Sequence, residues 1–396
     1  PDPAPFIVRT MLPCLVFPMK FFIVTRFAIG LYDNEILKNK IDFWQTITFR
    51  NLTHQSDQSF IWLILIDTNM PANCRRRMEA ITAKHNNIHL IPYTPLQEVL
   101  MVQGGQDQYS HALLRYALQQ GLIDNIGEFV ITANIDDDDC WDIELLEYVR
   151  KTIEGSLHKD TEFAKRADDY VQQNIRTKSS SFGLVLSYRI GAFLYPVDHA
   201  IVAVDYKSHS MANFVCARFV TGLTPLSISH ESWPDFAKFL AFTFQETTQD
   251  MPAWLYTRHA YCWDGCTREF ATKGQSVTPQ DHYSTQDRWL LENRFMIDID
   301  ALEELAKSHK ALWESYTQEN ATNYVSQTIE AYGCEHAATC YNGGLAYIER
   351  YPKEVASILG GDAMLQERRV VLGKRLEDLR NYHQAQTKTI SAARYR

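Results

Sequence analysis

Glu128-Phe129-Val130-Ile131-Thr132-Ala133-Asn134-Ile135-Asp136-Asp137-Asp138-Asp139 sets an apolar run directly against four successive aspartates. A short continuous apolar run reads as a strand buried on both faces. Like charges repel, so folding gathers four carboxylates at one strand end only where something offsets the cost. A hard divalent cation does this, and oxygen ligands suit Mg2+ or Mn2+. Asp136 and Asp138, at i and i+2, can point one acid at a ribose and the other at a metal bridging two phosphates. The plainer alternative is a solvated acidic turn in which Asp139 or Asp142 caps the following helix. The buried strand before the acids favours the metal.

Outward from this stretch the same pattern repeats. Residues 21–25 (FFIVT), 59–67 (SFIWLILID) and 88–92 (IHLIP) are further buried strands, the second ending on an acid. From Glu35 to Leu52, Leu37, Ile41, Trp44 and Ile47 recur at helical spacing and predict one amphipathic helix. Pro71 opens a helix with Cys74, Met78 and Ile81 on one face and Arg75, Arg76 and Arg77 largely on the other. Residues 106–120 form a helix carrying Leu113, Leu114, Ala117 and Leu118, and another begins near Asp142. This alternation predicts an α/β fold, a mostly parallel sheet flanked by helices. Such sheets bind ligands at the carboxyl ends of their strands. Thr25-Arg26-Phe27, Asp67 and Asp136–Asp139 all fall at such ends.

The 396 residues are 45% hydrophobic and 22% charged, an ordinary globular balance that excludes a disordered or fibrous chain. A net charge of −9 excludes a broad basic face for nucleic acid. Aromatic residues at 12% suit a large core and platforms for a flat ligand such as a sugar or base. Eight cysteines with no CxxC pair read as reduced thiols in a cytosolic protein. His259, Cys262 and Cys266, even with Cys334, His336 and Cys340, match no common zinc spacing. Arg9, Lys20, Arg26, Pro13 and Pro18 break the apolar start, so neither a transmembrane helix nor a signal peptide is expected there. Sequons at Asn51 and Asn320 mean little by themselves.

The expected organisation is a Pro-rich lead-in over 1–18, a catalytic domain over 19–285 and a helical accessory region over 286–396. Within the catalytic domain, 19–150 is the nucleotide-binding half and 182–285 the acceptor half. Residues 155–181 read as a polar connection, 183–205 as antiparallel strands and 252–259 as another strand. Neither GxGxxG nor GxxxxGK[ST] follows a strand, so a dinucleotide fingerprint and a P-loop are missing. A parallel sheet that binds a nucleotide through an acid pair and a metal points to nucleotide-sugar chemistry. There the metal offsets charge growing on the leaving diphosphate.

Thr25-Arg26-Phe27, then Thr46 to Ser56 (TITFRNLTHQS), then Phe60 to Asp67 together resemble the opening of bacterial rhamnosyltransferases, which are GT-A-fold glycosyltransferases. In that family a segment like TRLDNDD carries the acids. Here it reads Thr132 to Asp139, with Asn134 at the family's arginine position. Trp254-Leu255-Tyr256-Thr257-Arg258-His259 resembles the family's Trp-x-x-x-Arg-His element. The resemblance covers residues 20–265 and leaves 286–396 unexplained.

The resemblance implies that Asp136 and Asp138 hold the metal and the nucleotide-sugar, with Asp139 in support of the metal and Asp137 beside the donor. It places Thr25, Arg26 and Asp67 in the nucleotide pocket. Arg115 either reaches a phosphate or donor sugar or lies on a solvated helix face. A histidine completes the metal shell in many such enzymes; His259 is the first choice and His230 the second. An inverting reaction needs a carboxylate base at the acceptor hydroxyl. Glu231, Asp235 and Asp264 are candidates, and Glu231 or Asp235 can instead cap a helix near Pro234.

The implied partners are Mn2+ or Mg2+, a dTDP-, UDP- or GDP-sugar, and a saccharide or other hydroxyl acceptor. The expected setting is cytoplasmic, with a peripheral place at the inner face of the membrane and a homodimer as further expectations. Two rivals remain. A nucleotidyltransferase would carry a Gly-rich basic loop after the first strand, and Thr25-Arg26-Phe27-Ala28 is not one. A non-catalytic sugar- or metal-binding protein on the same fold is the other.

Overall fold

The computed structural model describes residues 19–29, 31, 34–93, 113, 116–123, 129–156, 183–205, 212–218, 243–259 and 277–315, with single positions between 363 and 374. Arg115, His230, Glu231, Asp235, Asp264, the five cysteines other than Cys74, Cys140 and Cys216, and the lead-in over 1–18 lie outside these residues. So do most of the helix expected over 106–120 and the connection over 155–181.

Strands β1 (Lys20–Phe27), β2 (Ile61–Asp67), β3 (Ile88–Tyr93) and β4 (Phe129–Asn134) run parallel in the order β3-β2-β1-β4. The short β5 (Cys140–Trp141) leaves this sheet just past the aspartates. Beyond β4 the sheet continues through β9 (Asn213–Arg218), β6 (Gly183–Tyr188) and β10 (Thr243–Thr247). Only β9 is reversed, pairing antiparallel with both β4 and β6.

The alternation of side chains across the pleat explains the continuous apolar runs. Phe21, Ile23 and Phe27 of β1 and Trp62, Ile64 and Ile66 of β2 enter one core. Phe22, Val24, Leu63 and Leu65 enter the other, against Leu113, Ala117 and Ile123. Both faces are thus covered, as parallel sheets require.

The larger core is closed by α1 (Asn34–Trp44), α3 (Ala72–Thr82) and α4 (Leu145–Ser156). The single helix expected from Glu35 to Leu52 is one rod with a π-helical turn at Gln45–Phe49 before α2 (Arg50–Thr53). The same core includes Leu290 and Leu291 of α5 (Thr285–Asn293) and Leu302 of α6 (Ile299–Ser315). Arg294 donates to both oxygens of Asp142 at 2.7 Å, and Arg50 Nε to the Met296 carbonyl at 2.8 Å. A boundary at 285/286 therefore cuts through one continuous core.

A second sheet, β5-β11-β7-β8, contains β7 (Ile190–Tyr195), β8 (Ala200–Asp205) and β11 (Trp254–Thr257). The stretch 183–205 does pair antiparallel between β7 and β8, but β6 and β7 diverge into different sheets. Trp254 fixes the seam: its Nε1 donates to the Tyr188 carbonyl at 2.9 Å, and its ring fills the place of a side chain at Gly191. Asn51 of the sequon is fully buried, donating to the Trp141 and Phe295 carbonyls at 2.7 and 2.9 Å. Its amide is structural, which removes it as a glycosylation site in the folded chain. Cys74, Cys140 and Cys216 are free and buried. Among the described residues no helix is long and apolar enough to cross a membrane.

Candidate active site

The exit from β4 is tied to β1. Ile135 N donates to the Val24 carbonyl at 3.0 Å, and Thr25 Oγ1 donates to the Ile135 carbonyl at 2.9 Å. Thr25 also accepts from Trp62 Nε1 at 2.9 Å and is fully buried. This corrects the expectation for Thr25: its hydroxyl joins strands and positions the acidic turn, and no face of it is open to a ligand. Asp67 is likewise buried, with Oδ1 accepting from the Asn69 backbone at 2.8 Å to close the turn after β2. Arg26 is half-buried at the end of β1.

Asp136–Asp139 form a turn leading into β5, which runs antiparallel to β11 through Trp141–Trp254 and Cys140–Leu255. The register carries the end of β11 alongside the acids. Asp139 Oδ1 accepts from the Thr257 backbone at 3.0 Å, so that oxygen anchors β11 and is not offered to an ion. Arg258 N donates to the Leu194 carbonyl at 2.7 Å. Its guanidinium lies over the rings of Tyr256 and Phe193, 4.3 and 5.5 Å from their centroids.

His259, fully buried, then places Nε2 3.0 Å from Asp138 Oδ2. Its ring stacks on Phe43 of α1 at 3.8 Å, and the ring of His309 of α6 lies 5.2 Å from Phe43. Lys40, one turn earlier on α1, sets Nζ 3.1 Å from Asp137 Oδ1 and 3.6 Å from Asp138 Oδ2. Lys40 was not among the sequence candidates. Its one signal is a lysine on the same helical face as Ile36, Leu37 and Phe43.

These neighbours decide the charges. Burial would raise the Asp138 carboxyl, but Lys40, His259 and Arg258 outweigh it and hold that acid well below the usual range. Burial pushes Asp137 up, Lys40 opposes this, and the adjacent Asp138 adds to the rise. Asp138 is the fixed anion and Asp137 the reluctant one. Asp137 Oδ2 and Asn134 Oδ1 are buried with no hydrogen-bond partner among the described residues.

The donor chemistry fits a divalent cation in part. A carboxylate oxygen and an imidazole nitrogen converge, and Asp136, partly exposed, lies two residues earlier in the same turn. Among the described residues no three His, Cys, Asp or Glu side chains meet at one ion position. A cation bridging a diphosphate draws further oxygens from phosphate and water, so two or three protein donors suffice. A separate cavity of about 540 Å³ lies between α1 and α3, lined by Asn34, Glu35, Lys38 and Arg77 among others, and does not include the acids.

An open, mostly parallel sheet flanked by helices, with one reversed strand, an aspartate run at the end of its central strand and a histidine brought beside it, is a mixed α/β fold of the GT-A type. Residues 24–215, a little under half of the chain, match the family described as "Putative rhamnosyl transferase".

Among solved structures, the chain is similar to the apo WbbM bifunctional glycosyltransferase at 11% identity and a TM-score of 0.30, covering 76% of this chain and 51% of that one. It thus spans about half the length of WbbM. It is similar to mouse xyloside xylosyltransferase 1 at 10% identity and TM-score 0.24, covering 57% and 78%. With the galactosyltransferase LgtC bound to donor and acceptor sugar analogs the values are 10% and 0.24, covering 76% and 99%. No curated protein matches the chain.

Proposed function

We propose that this protein transfers a sugar, rhamnose by its family, from a nucleotide-diphosphate donor to a hydroxyl of a saccharide acceptor. The carrying observation is the Asp138–His259 contact, flanked by Lys40, at the carboxyl edge of the sheet in and beside the family segment. In the reaction the acceptor oxygen bonds to the anomeric carbon. The bond from that carbon to the diphosphate oxygen breaks, and its electron pair leaves with the diphosphate. The acceptor proton passes to a carboxylate base, with Glu231, Asp235 and Asp264 the candidates.

Asp136, Asp138 and His259 are the residues that would hold Mn2+ or Mg2+, which when bound neutralises charge on the leaving diphosphate. The chain's own side chains do the rest. Arg258, pinned over two rings, contributes fixed positive charge beside the acids. Thr25 and Ile135 hold the acidic turn to β1, so the carboxylates need little reorganisation as charge develops. Asp137, paired with Lys40, would lie beside the donor. The setting that supplies such donors is the cytoplasm, with acceptors at the inner membrane face.

A thermal-shift panel of UDP, GDP, dTDP and CMP, each with and without Mn2+, tests this reading, because a ligand that binds only the folded state raises its stability. One nucleoside diphosphate should stabilise the protein and do so more with Mn2+. Transfer from the corresponding nucleotide-sugar should release that diphosphate. Release of pyrophosphate from a nucleoside triphosphate and a sugar phosphate would instead identify a nucleotidyltransferase. Binding without turnover over a range of saccharide acceptors would identify a non-catalytic protein.

A further inference from the structure

Lys40 is 9% exposed, and its ammonium lies within 3.6 Å of carboxylate oxygens from both Asp137 and Asp138. The Asp138 oxygen it faces, Oδ2, is the one 3.0 Å from His259 Nε2. That oxygen therefore lies between the ammonium and the imidazole, at the place where a divalent cation would take its carboxylate ligand.

The helix fixes this arrangement. Ile36, Leu37, Ile41, Phe43 and Trp44 bury α1 against the sheet, and Lys40 shares the buried side with them. A lysine so placed can keep its charge only beside anions. The stem cannot swing freely to solvent while its neighbours are packed. Lys40 also supplies positive charge directly against two carboxylates that would otherwise repel each other.

We infer that Lys40 is a resident counter-cation that competes with the divalent ion for Asp137 and Asp138, so that metal enters together with the donor diphosphate and only weakly before it. This rests on the metal reading above. A single positive charge beside the ion position repels a divalent cation. The two negative phosphates of the donor reverse that balance by attracting both the ion and the ammonium. Lys40 would thus position the acids in the ligand-free state and couple the two ligands in the bound state.

Titration calorimetry and Mn2+ electron paramagnetic resonance on the full chain test it, using Mn2+ alone and Mn2+ with dTDP, UDP or GDP. For the wild type, Mn2+ should bind at least about tenfold more tightly with the stabilising nucleotide than alone. Lys40→Met, which keeps the apolar stem, should bind Mn2+ alone about tenfold more tightly than wild type and lose most of that coupling. Its melting temperature in EDTA should fall, and Mn2+ should restore it. Lys40→Arg should behave like wild type.

Equal or weaker Mn2+ binding by folded Lys40→Met would overturn the inference and leave the metal reading standing. No saturable Mn2+ binding by wild type or variant, with any of the three nucleotides, would overturn both. Should Lys40→Met fail to fold even with Mn2+, the wild-type measurement alone decides. Equal Mn2+ affinity with and without nucleotide overturns the inference.

Discussion

The Nε2 of His259 and the Oδ2 of Asp138 meet at 3.0 Å across 121 residues of sequence. A buried imidazole and a largely buried carboxylate this close stabilise each other as a pair, and removing one strands the other. Sequence alone suggests that Asp138→Ala relieves acid repulsion and leaves the ligand-free protein as stable or more so. The contacts to His259 and Lys40 reverse this expectation. Asp138→Ala should lose Mn2+-dependent nucleotide binding and also cost about 1–3 kcal/mol of stability. Calorimetry and chemical unfolding measure the two effects; an unchanged or raised stability would rule out the pairing.

His259→Gln keeps a polar group but loses the ring stacked on Phe43. Turnover per folded molecule should fall about 10²-fold, the scale of one lost transition-state contact. The check is kcat normalised to the folded fraction from circular dichroism. Near-normal kcat with a lowered melting temperature would make His259 a structural residue.

Gly191→Ala should damage the site from a distance. A Cβ there would lie 2.0 Å from Trp254 Cε2, so the indole that starts β11 must move. The expected cost is about 2–4 kcal/mol, as for overpacking a core around a large ring. Because His259 follows two residues after β11, nucleotide affinity with Mn2+ should fall as well. Trp fluorescence and thermal unfolding read the displacement, and a wild-type melting curve would refute it.

His309 offers a pH signature. Burial pushes its imidazole down to about 4, and nearby His259 adds to this against Asp42. The folded chain thus holds the ring neutral while the unfolded chain protonates it near its ordinary 6.5. Stability from this group is full above that value and is lost as pH falls from about 6.5 toward 4. Other acids titrate in the same window, so the measurable quantity is a difference. His309→Phe should flatten the fall by about 2 kcal/mol relative to wild type between pH 7 and 4. Parallel curves for the two proteins would show that the ring does not titrate this way.

A chain ending near residue 285 should not fold cooperatively. It loses Leu290, Leu291, Phe295 and Leu302 from the main core, and Asp142 loses its guanidinium partner. Limited proteolysis and circular dichroism would show this. A truncated, folded and active protein would establish 286–396 as a separate accessory region.

The sheet was readable because β1, β2 and β4 are buried on both faces, which writes continuous apolar runs into the sequence. Asp138 and His259 were readable as candidates because each ends such a run. Lys40 and Phe43 were not, because periodicity marks a helix face without saying what lies opposite it. The divergence of β6 and β7 into two sheets was hidden for a similar reason. Both are short and apolar, and the split depends on Trp254 packing at Gly191, more than 60 residues apart in the chain. Thr25 and Asp67 were placed at the correct strand ends, but strand-end position does not reveal that a hydroxyl or carboxylate is already committed to the backbone.

The π-helical turn at Gln45–Phe49 acts as a phase shifter in the rod between β1 and β2. Ahead of it Lys40 answers to the acidic turn; behind it Asn51 clasps Trp141 and Phe295. At 3.6 residues per turn eleven residues complete just over three whole turns, so an unbroken α-helix would aim both side chains nearly the same way. The wider turn rotates the second about a quarter-turn from the first and lets one rod serve two clients. The Lys40–Asn51 interval is therefore a ruler: insertions and deletions that surface loops absorb should be absent between these two positions in any relative that keeps both contacts.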